Sequence, residues 1–387
     1  MLKAVLAVAA ICTFCSCGER IGQPAYRVCA FVWPSCHDDS LAREYLWKEG
    51  IGEWEVIKRG DPRFEGHYQP KQPLWGYEMD DDPLVVEKWI NEALSHGVNT
   101  FVYDWYWFKN YPYLEGALDD GFLKAPSCDK MGFYLMWANH DVKYNYWNYH
   151  LHGDNDSLLF TGEVTPEQYE TIVLRVIDKY FHRNNYVKID GCPVFMIFSI
   201  ENFLETFDND LDRAAQAVQY FREECVKAGF KGLHLQTTLR GNGIDKDFYL
   251  EKFDIWRSRL GIDSFVTYNM IGTDKDYLTY GRKGTEYWYL WSDYLNVPFF
   301  PTVSIGWDDT PRFPAKGEKD VTLTNATPEN FAGFLRQARE YADSKADTQP
   351  KFVMINAWNE WVEGSYLLPD KRNGFGYLEA VRSVFPE

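Results

Sequence analysis

Eight short, nearly continuous apolar runs recur along this chain, and longer segments with apolar positions spaced among charges lie between them. The runs cover residues 28–33, 98–104, 133–138, 194–199, 233–237, 264–268, 299–305 and 352–357. Each is bounded by Gly, Pro or polar residues, the pattern of parallel strands buried on both faces. The intervening stretches 83–95, 166–182, 211–228, 245–259 and 328–344 read as helices. Thr165-Pro166 and Thr327-Pro328 each place a capping hydroxyl before a proline in the first turn. Eight strand–helix repeats predict an α/β fold, a single closed (β/α)8 TIM barrel with long insertions in the βα loops. A doubly wound open sheet is the alternative. No glycine/serine linker or charge block divides the chain, so residues 18–387 are expected to form one domain, with insertions at 35–82 and 307–325.

Residues 1–17 read as a targeting segment rather than as part of the fold. Lys3 supplies a positive charge, and 4–13 is apolar but too short for a mature membrane anchor. Phe14-Cys15-Ser16-Cys17-Gly18 resembles a lipobox, with Cys17 as the lipidated residue. That predicts a lipid-anchored protein of the bacterial cell envelope, in the periplasm or on the outer membrane, with the bilayer as one partner. A plain secretory signal is the alternative. The remaining cysteines, Cys29, Cys36, Cys128, Cys192 and Cys225, show neither C-x-x-C pairing nor zinc spacing. His37-Asp38-Asp39 superficially suggests metal ligands, but adjacent residues rarely converge on one ion, and no metal is expected. A formal net charge of -17 argues against nucleic acid. No glycine-rich phosphate loop follows any strand, so no nucleotide or other cofactor is expected, and a monomer is.

A barrel collects its chemistry at the C-terminal ends of its strands. Those positions hold Trp33, Asp104-Trp105-Tyr106, Trp137-Ala138-Asn139-His140, Glu201, Tyr268-Asn269, Trp307-Asp308-Asp309 and Asn359-Glu360. Acids, amides and aromatic rings gather there, whereas the opposite ends show nothing comparable. Aromatic residues make up 17% of the chain, many of them beside Asp, Asn or His. Rings stack on the apolar face of a sugar while neighbouring polar groups bind its hydroxyls, so a carbohydrate is the expected substrate. After the last run comes Asn359-Glu360-Trp361-Val362-Glu363-Gly364, and paired carboxylates are what cleavage of a glycosidic bond requires. Taken alone, two such acids are more often solvated turn residues.

That hexapeptide resembles the N-E-W-x-E-G signature of the WbsX group, which is related to glycoside hydrolase family 99. Further similarity is carried by Gly52-Glu53-Trp54, 64–70, 101–108, Trp137-Ala138-Asn139, 189–194 and 306–312. The resemblance implies a (β/α)8 barrel and a retaining enzyme acting on α-mannosidic bonds. In the implied route the substrate's own 2-hydroxyl displaces the leaving group through a 1,2-anhydro sugar. Glu360 would be the base for that hydroxyl, and Glu363 would protonate the departing oxygen and then activate water. Burial beside Trp361 or Trp358 would supply the unequal environments this needs. Trp33, Glu53, Trp54, Asp104, Trp105, Tyr106, Trp137, Asn139, Glu201, Tyr268, Trp307, Asp308, Asn359 and Trp361 are expected to bind substrate, with Glu201 as the rival acid. His140-Asp141-Val142 departs from the family pattern, in which an acid and another Trp follow, and Trp33-Pro34-Ser35 departs at the first strand. The expected function is thus a glycoside hydrolase acting on polysaccharide or glycan outside the cytoplasm. A WbsX-type glycosyltransferase of surface polysaccharide synthesis, or an inactive glycan-binding lipoprotein, is the alternative.

Overall fold

The computed structural model describes residues 24–239, 246–272, 274–313 and 322–386. The lipobox-like segment with Cys17 lies outside them. Eight parallel strands form the barrel: β1 (Arg27–Val32), β2 (Thr100–Phe108), β3 (Gly132–Trp137), β4 (Cys192–Ile197), β5 (His234–Leu239), β6 (Ser264–Thr267), β7 and β8 (Phe352–Asn356). Pairing runs β6-β5-β4-β3-β2-β1-β8, and β7 joins the two ends of this path. It comes in two pieces, Phe299–Phe300 on β6 and Thr302–Ser304 on β8, parted by Pro301. A proline has no N–H to give a ladder, but its carbonyl accepts the Met354 N–H at 2.8 Å. The ring therefore closes, and the open-sheet alternative falls away.

Among the described residues, seven helices of nine residues or more flank it: α1 (Pro83–Ser95), α2 (Pro166–Val176), α3 (Leu211–Lys227), α4 (Lys246–Leu260), α5 (Tyr277–Leu295), α6 (Pro328–Ser344) and α7 (Gly376–Val384). Asp82, Thr165, Asp210, Asp276 and Thr327 cap the N-termini of α1, α2, α3, α5 and α6 with their side chains. Thr165 and Gln168 complete a reciprocal capping box on α2. Between β2 and β3 no long helix stands: a short strand, Tyr111–Tyr113, folds back on β2, and a π turn, Ala117–Gly121, and two 3-10 turns, Phe122–Lys124 and Cys128–Lys130, follow among the described residues. A Cβ on Gly121 would stand 2.1 Å from the Asp80 carbonyl oxygen, so the backbone there passes closer than any other residue allows. Among the described residues, no helix is long and apolar enough to cross a membrane.

Strand alternation decides which side chains fill the barrel and which face the helices. Tyr134 of β3 donates to Gln236 Oε1 of β5 at 3.0 Å within the barrel. One face over, Trp137 packs outward on Tyr169 of α2. The first insertion folds back over the barrel mouth, where Trp54 packs against Trp361 beyond β8.

Candidate active site

A cleft of about 810 Å³ opens at the C-terminal rim of the barrel, and every strand or the residues just after it contributes to its lining. Glu360 and Glu363 both line it. A tight turn makes that possible: Asn359–Glu360 pairs antiparallel with Ser365–Tyr366 and folds Glu363 back beside Glu360. Gly364 sits at φ 64 and a Cβ there would lie 2.8 Å from Asp308 Cβ, so only glycine fits. The Asp308 N–H also donates to the Glu363 carbonyl at 2.6 Å, pinning the turn to the loop after β7.

The two acids have different surroundings. Glu360 is 4% exposed, its Oε1 accepts from the Tyr268 hydroxyl at 3.1 Å, and its Oε2 has no hydrogen-bond partner among the described residues. Burial, reinforced by the nearby Glu363 charge, pushes the Glu360 carboxyl well above the ordinary carboxylate range despite Arg312. Glu363 accepts from Arg312 Nη1 at 2.8 Å. The same guanidinium faces Glu53 Oε1 at 3.9 Å and lies over the Tyr146 ring at 4.8 Å. Glu53, fully buried, accepts from Trp33 Nε1 at 2.6 Å and Ser35 Oγ at 3.1 Å, and burial raises its carboxyl too. Asp104 accepts from Tyr268 at 3.0 Å, leaves Oδ1 without a partner, and is pushed well up by burial. Acids that burial biases toward the neutral form and the buried Arg312 guanidinium thus lie at or just behind the floor, while Trp33, Tyr106, Tyr146 and Trp307 supply aromatic walls. Among the described residues, no group of three or more His, Cys, Asp or Glu could hold a metal ion.

Of the residues singled out from sequence, Trp33, Asp104, Tyr106, Glu201, Tyr268, Trp307, Glu360 and Glu363 come together on the cleft. The other residues expected to bind substrate do not line the cleft and stand behind its surface. Trp105 and Trp137 project to the helix side, where Trp105 donates to Glu115 at 3.0 Å. Asn139 exchanges hydrogen bonds with the Ser199 backbone at 2.7 and 2.8 Å, and Asn359 does the same with Trp33 at 2.8 and 2.7 Å. These amides stitch neighbouring strand ends together. Trp361 stacks on Tyr366 at 3.9 Å, and Trp54 donates to the Glu78 carbonyl. Glu53 reaches the cleft only through Arg312 and Trp33. Asp308 is enclosed by His67, Gln69, Lys71 and Thr310. Burial alone would raise its carboxyl, but these partners override it and hold it below the usual range.

Tyr146 and Arg312 join the site from short helical turns within the βα loops, Tyr144–Trp147 and Thr310–Arg312, and were not assigned to it by strand-end reasoning. Their signals were present: Tyr146 stands in an aromatic and amide cluster at 144–150, and Arg312 closes the 306–312 motif. His140 and Lys143 also line the cleft, with His140 Nε2 at 3.4 Å from the Tyr106 hydroxyl.

Residues 28–381 match the family model described as Glycosyltransferase WbsX. The chain is 26% and 25% identical, over 404 aligned residues, to the proteins called WxcX in two strains of Xanthomonas campestris pv. campestris. Those alignments take in 94% of this chain and 52% of each relative, so the chain spans about half the length of the curated relatives it matches. In structure it is similar to a GH99 endo-alpha-mannosidase from Bacteroides thetaiotaomicron, with a TM-score of 0.60 over 93% of this chain and 97% of that one, at 14% identity. A glycoside hydrolase-like protein aligns at a TM-score of 0.59 over 99% and 97%, also at 14% identity. At such identities the likeness establishes the fold they share.

Proposed function

The chain belongs to the WbsX family, and on that premise we propose that it is a glycan-processing enzyme of the glycoside hydrolase type, acting on manno-configured polysaccharide or glycan. One observation carries the reading: Glu360 and Glu363 reach into the same aromatic-walled cleft from one turn after the last barrel strand. In the reaction proposed, ionised Glu360 takes the proton of the substrate's 2-hydroxyl, and that oxygen closes on the anomeric carbon as the glycosidic bond breaks. Glu363 gives a proton to the departing oxygen, then takes one from the water that opens the 1,2-anhydro sugar at the anomeric carbon, while Glu360 returns its proton to the 2-oxygen; two inversions leave the anomeric configuration retained. Burial makes Glu360 a strong base once ionised. Arg312 fixes the position of Glu363. The GH99 endo-alpha-mannosidase fold and the strand-end rings support a sugar in the cleft. Lipid anchoring through Cys17 at the cell envelope and a monomeric state belong to the same proposal.

The family's own description favours a second reading, a glycosyltransferase. The same two acids would serve if a sugar hydroxyl took the place of water. Assay of the chain on a panel of α-mannans and rhamnose-containing polysaccharides separates the two. Hydrolysis predicts released oligosaccharides of retained configuration, reduced about 10²–10⁴-fold in Glu360→Gln and Glu363→Gln. Elongation of an acceptor from a sugar nucleotide, with the polysaccharides left intact, would replace hydrolysis by transfer. Binding without either product would favour a glycan-binding protein.

A further inference from the structure

The Tyr268 hydroxyl lies 3.0 Å from Asp104 Oδ2 and 3.1 Å from Glu360 Oε1. A phenol has one hydrogen to donate. Two contacts within hydrogen-bond reach, from one hydroxyl to two carboxyls, can both be hydrogen bonds with a hydrogen of their own only when one of the carboxyls carries a proton and donates it back to the phenol oxygen. We propose that Asp104, Tyr268 and Glu360 hold one proton in common, and that Asp104 is the seat to which it moves when Glu360 becomes the base.

The step balances within the protein. Glu360 Oε1 gives its proton to the Tyr268 oxygen as Tyr268 passes its own hydrogen to Asp104 Oδ2. One O–H bond breaks and one forms at the phenol, and the negative charge moves from Asp104 to Glu360. The base is armed without releasing a proton to water. The three groups come from β2, the residue after β6 and the turn after β8, so closure of the barrel is what assembles them. Asp104 and Glu360 are each 4% exposed, and each keeps a second oxygen with no partner among the described residues. Both side chains line the cleft. Placing two charges in so little water is unfavourable, and the arrangement follows the logic by which paired carboxyls share a proton. Burial raises both carboxyls, and burial with the neighbouring acids keeps the Tyr268 phenol protonated. The other ionisable groups facing the three are Glu53, Glu363, Arg312, Tyr106, Tyr146 and Cys36.

The kinetic consequence rests on the hydrolase reading, but the proton count does not. Infrared spectra of the unliganded chain at neutral pH report protonated carboxyls directly, and difference spectra against variants isolate individual ones. Relative to wild type, the double variant Asp104→Asn/Glu360→Gln is expected to lose one protonated-carboxyl band, and each single variant to lose or shift that same band. Twice the loss in the double variant would mean two independent protons, and no loss in any would mean two ionised acids; either overturns the proposal. Where a glycan is cleaved, Tyr268→Phe should lower kcat about 10²-fold at little change in KM. It should also move the acidic limb of the pH profile, which a packing defect would leave in place. An unmoved limb overturns the relay. If no glycan is cleaved, the infrared result still decides the shared proton.

Discussion

A single guanidinium organises the acids on one side of the cleft. Arg312 is 3% exposed and lies between Glu363 at 2.8 Å and Glu53 at 3.9 Å, with the Tyr146 ring across its face. Guanidinium suits this place because it stays charged, is planar, and reaches two partners while stacking on a ring. Removing one member of a buried ion pair leaves the other charge uncompensated and costs about 3–5 kcal/mol. Arg312→Met is accordingly expected to lower unfolding stability by about that much, read from denaturant midpoints, and to abolish turnover under conditions where the variant is still folded. Adding Glu53→Gln should give part of the stability back, since the amide oxygen can still accept from Trp33 without carrying charge. A double-mutant cycle reads this as strong coupling. Strictly additive losses would show that the two side chains do not interact.

At the scale of strands and helices, His234 opens β5 and meets Ser264 Oγ of β6 at 2.8 Å. Burial lowers its imidazole to about 4. The unfolded chain takes up a proton near pH 6.5 that the folded one refuses until about 4, so this site contributes stability above pH 6.5 that drains away as pH falls through that interval. Wild type should therefore lose about 2–3 kcal/mol more than His234→Gln between pH 7 and 4.5, measured by urea unfolding. Equal pH slopes would refute it. The strands were legible in the sequence within a few residues because burial on both faces leaves continuous apolar runs. Helix α5 was not singled out. It is rich in aromatic residues, and Gly281 and Gly284 look like breaks, whereas a Cβ on Gly281 would stand 2.1 Å from Phe334 of α6. Gly281 permits close packing of α5 on α6, and Gly284 makes room for Met270 beyond β6. At the site, the strand ends were legible but their facing was not. With a period of two, Trp105 and Trp137 turn away from the cleft while Tyr106 and Ala138 beside them turn in. Tyr146 and Arg312 arrive on loops whose course depends on long-range packing, which no local pattern records.

For the molecule as a whole, charge sets the class of glycan the proposed enzyme should accept. The chain carries a formal net charge of -17. Within the cleft, Asp141, Glu201, Glu363 and the single negative charge of the Asp104–Glu360 pair outnumber Lys143 and Arg312. Arg312 is held by Glu363 and Glu53, and Lys252 lies 3.5 Å from Glu201 at the side. Low-dielectric walls focus such a field on whatever enters. A neutral glycan meets no penalty, while one bearing uronate or sulfate is repelled before its hydroxyls can be recognised. Screening weakens that repulsion as the Debye length shrinks from about 30 Å at 0.01 M salt to about 8 Å at 0.15 M. With neutral mannan, kcat/KM is expected to stay nearly flat over that range. With a sulfated or carboxylated counterpart it should start lower and rise with salt. Removing one rim charge by Glu201→Gln should narrow the ratio of kcat/KM between the two substrates at low salt, whatever it does to both together. Faster turnover of the anionic glycan at low salt would mean that some cation in the cleft is available to it, and the acidic surface would then have no part in selecting substrate.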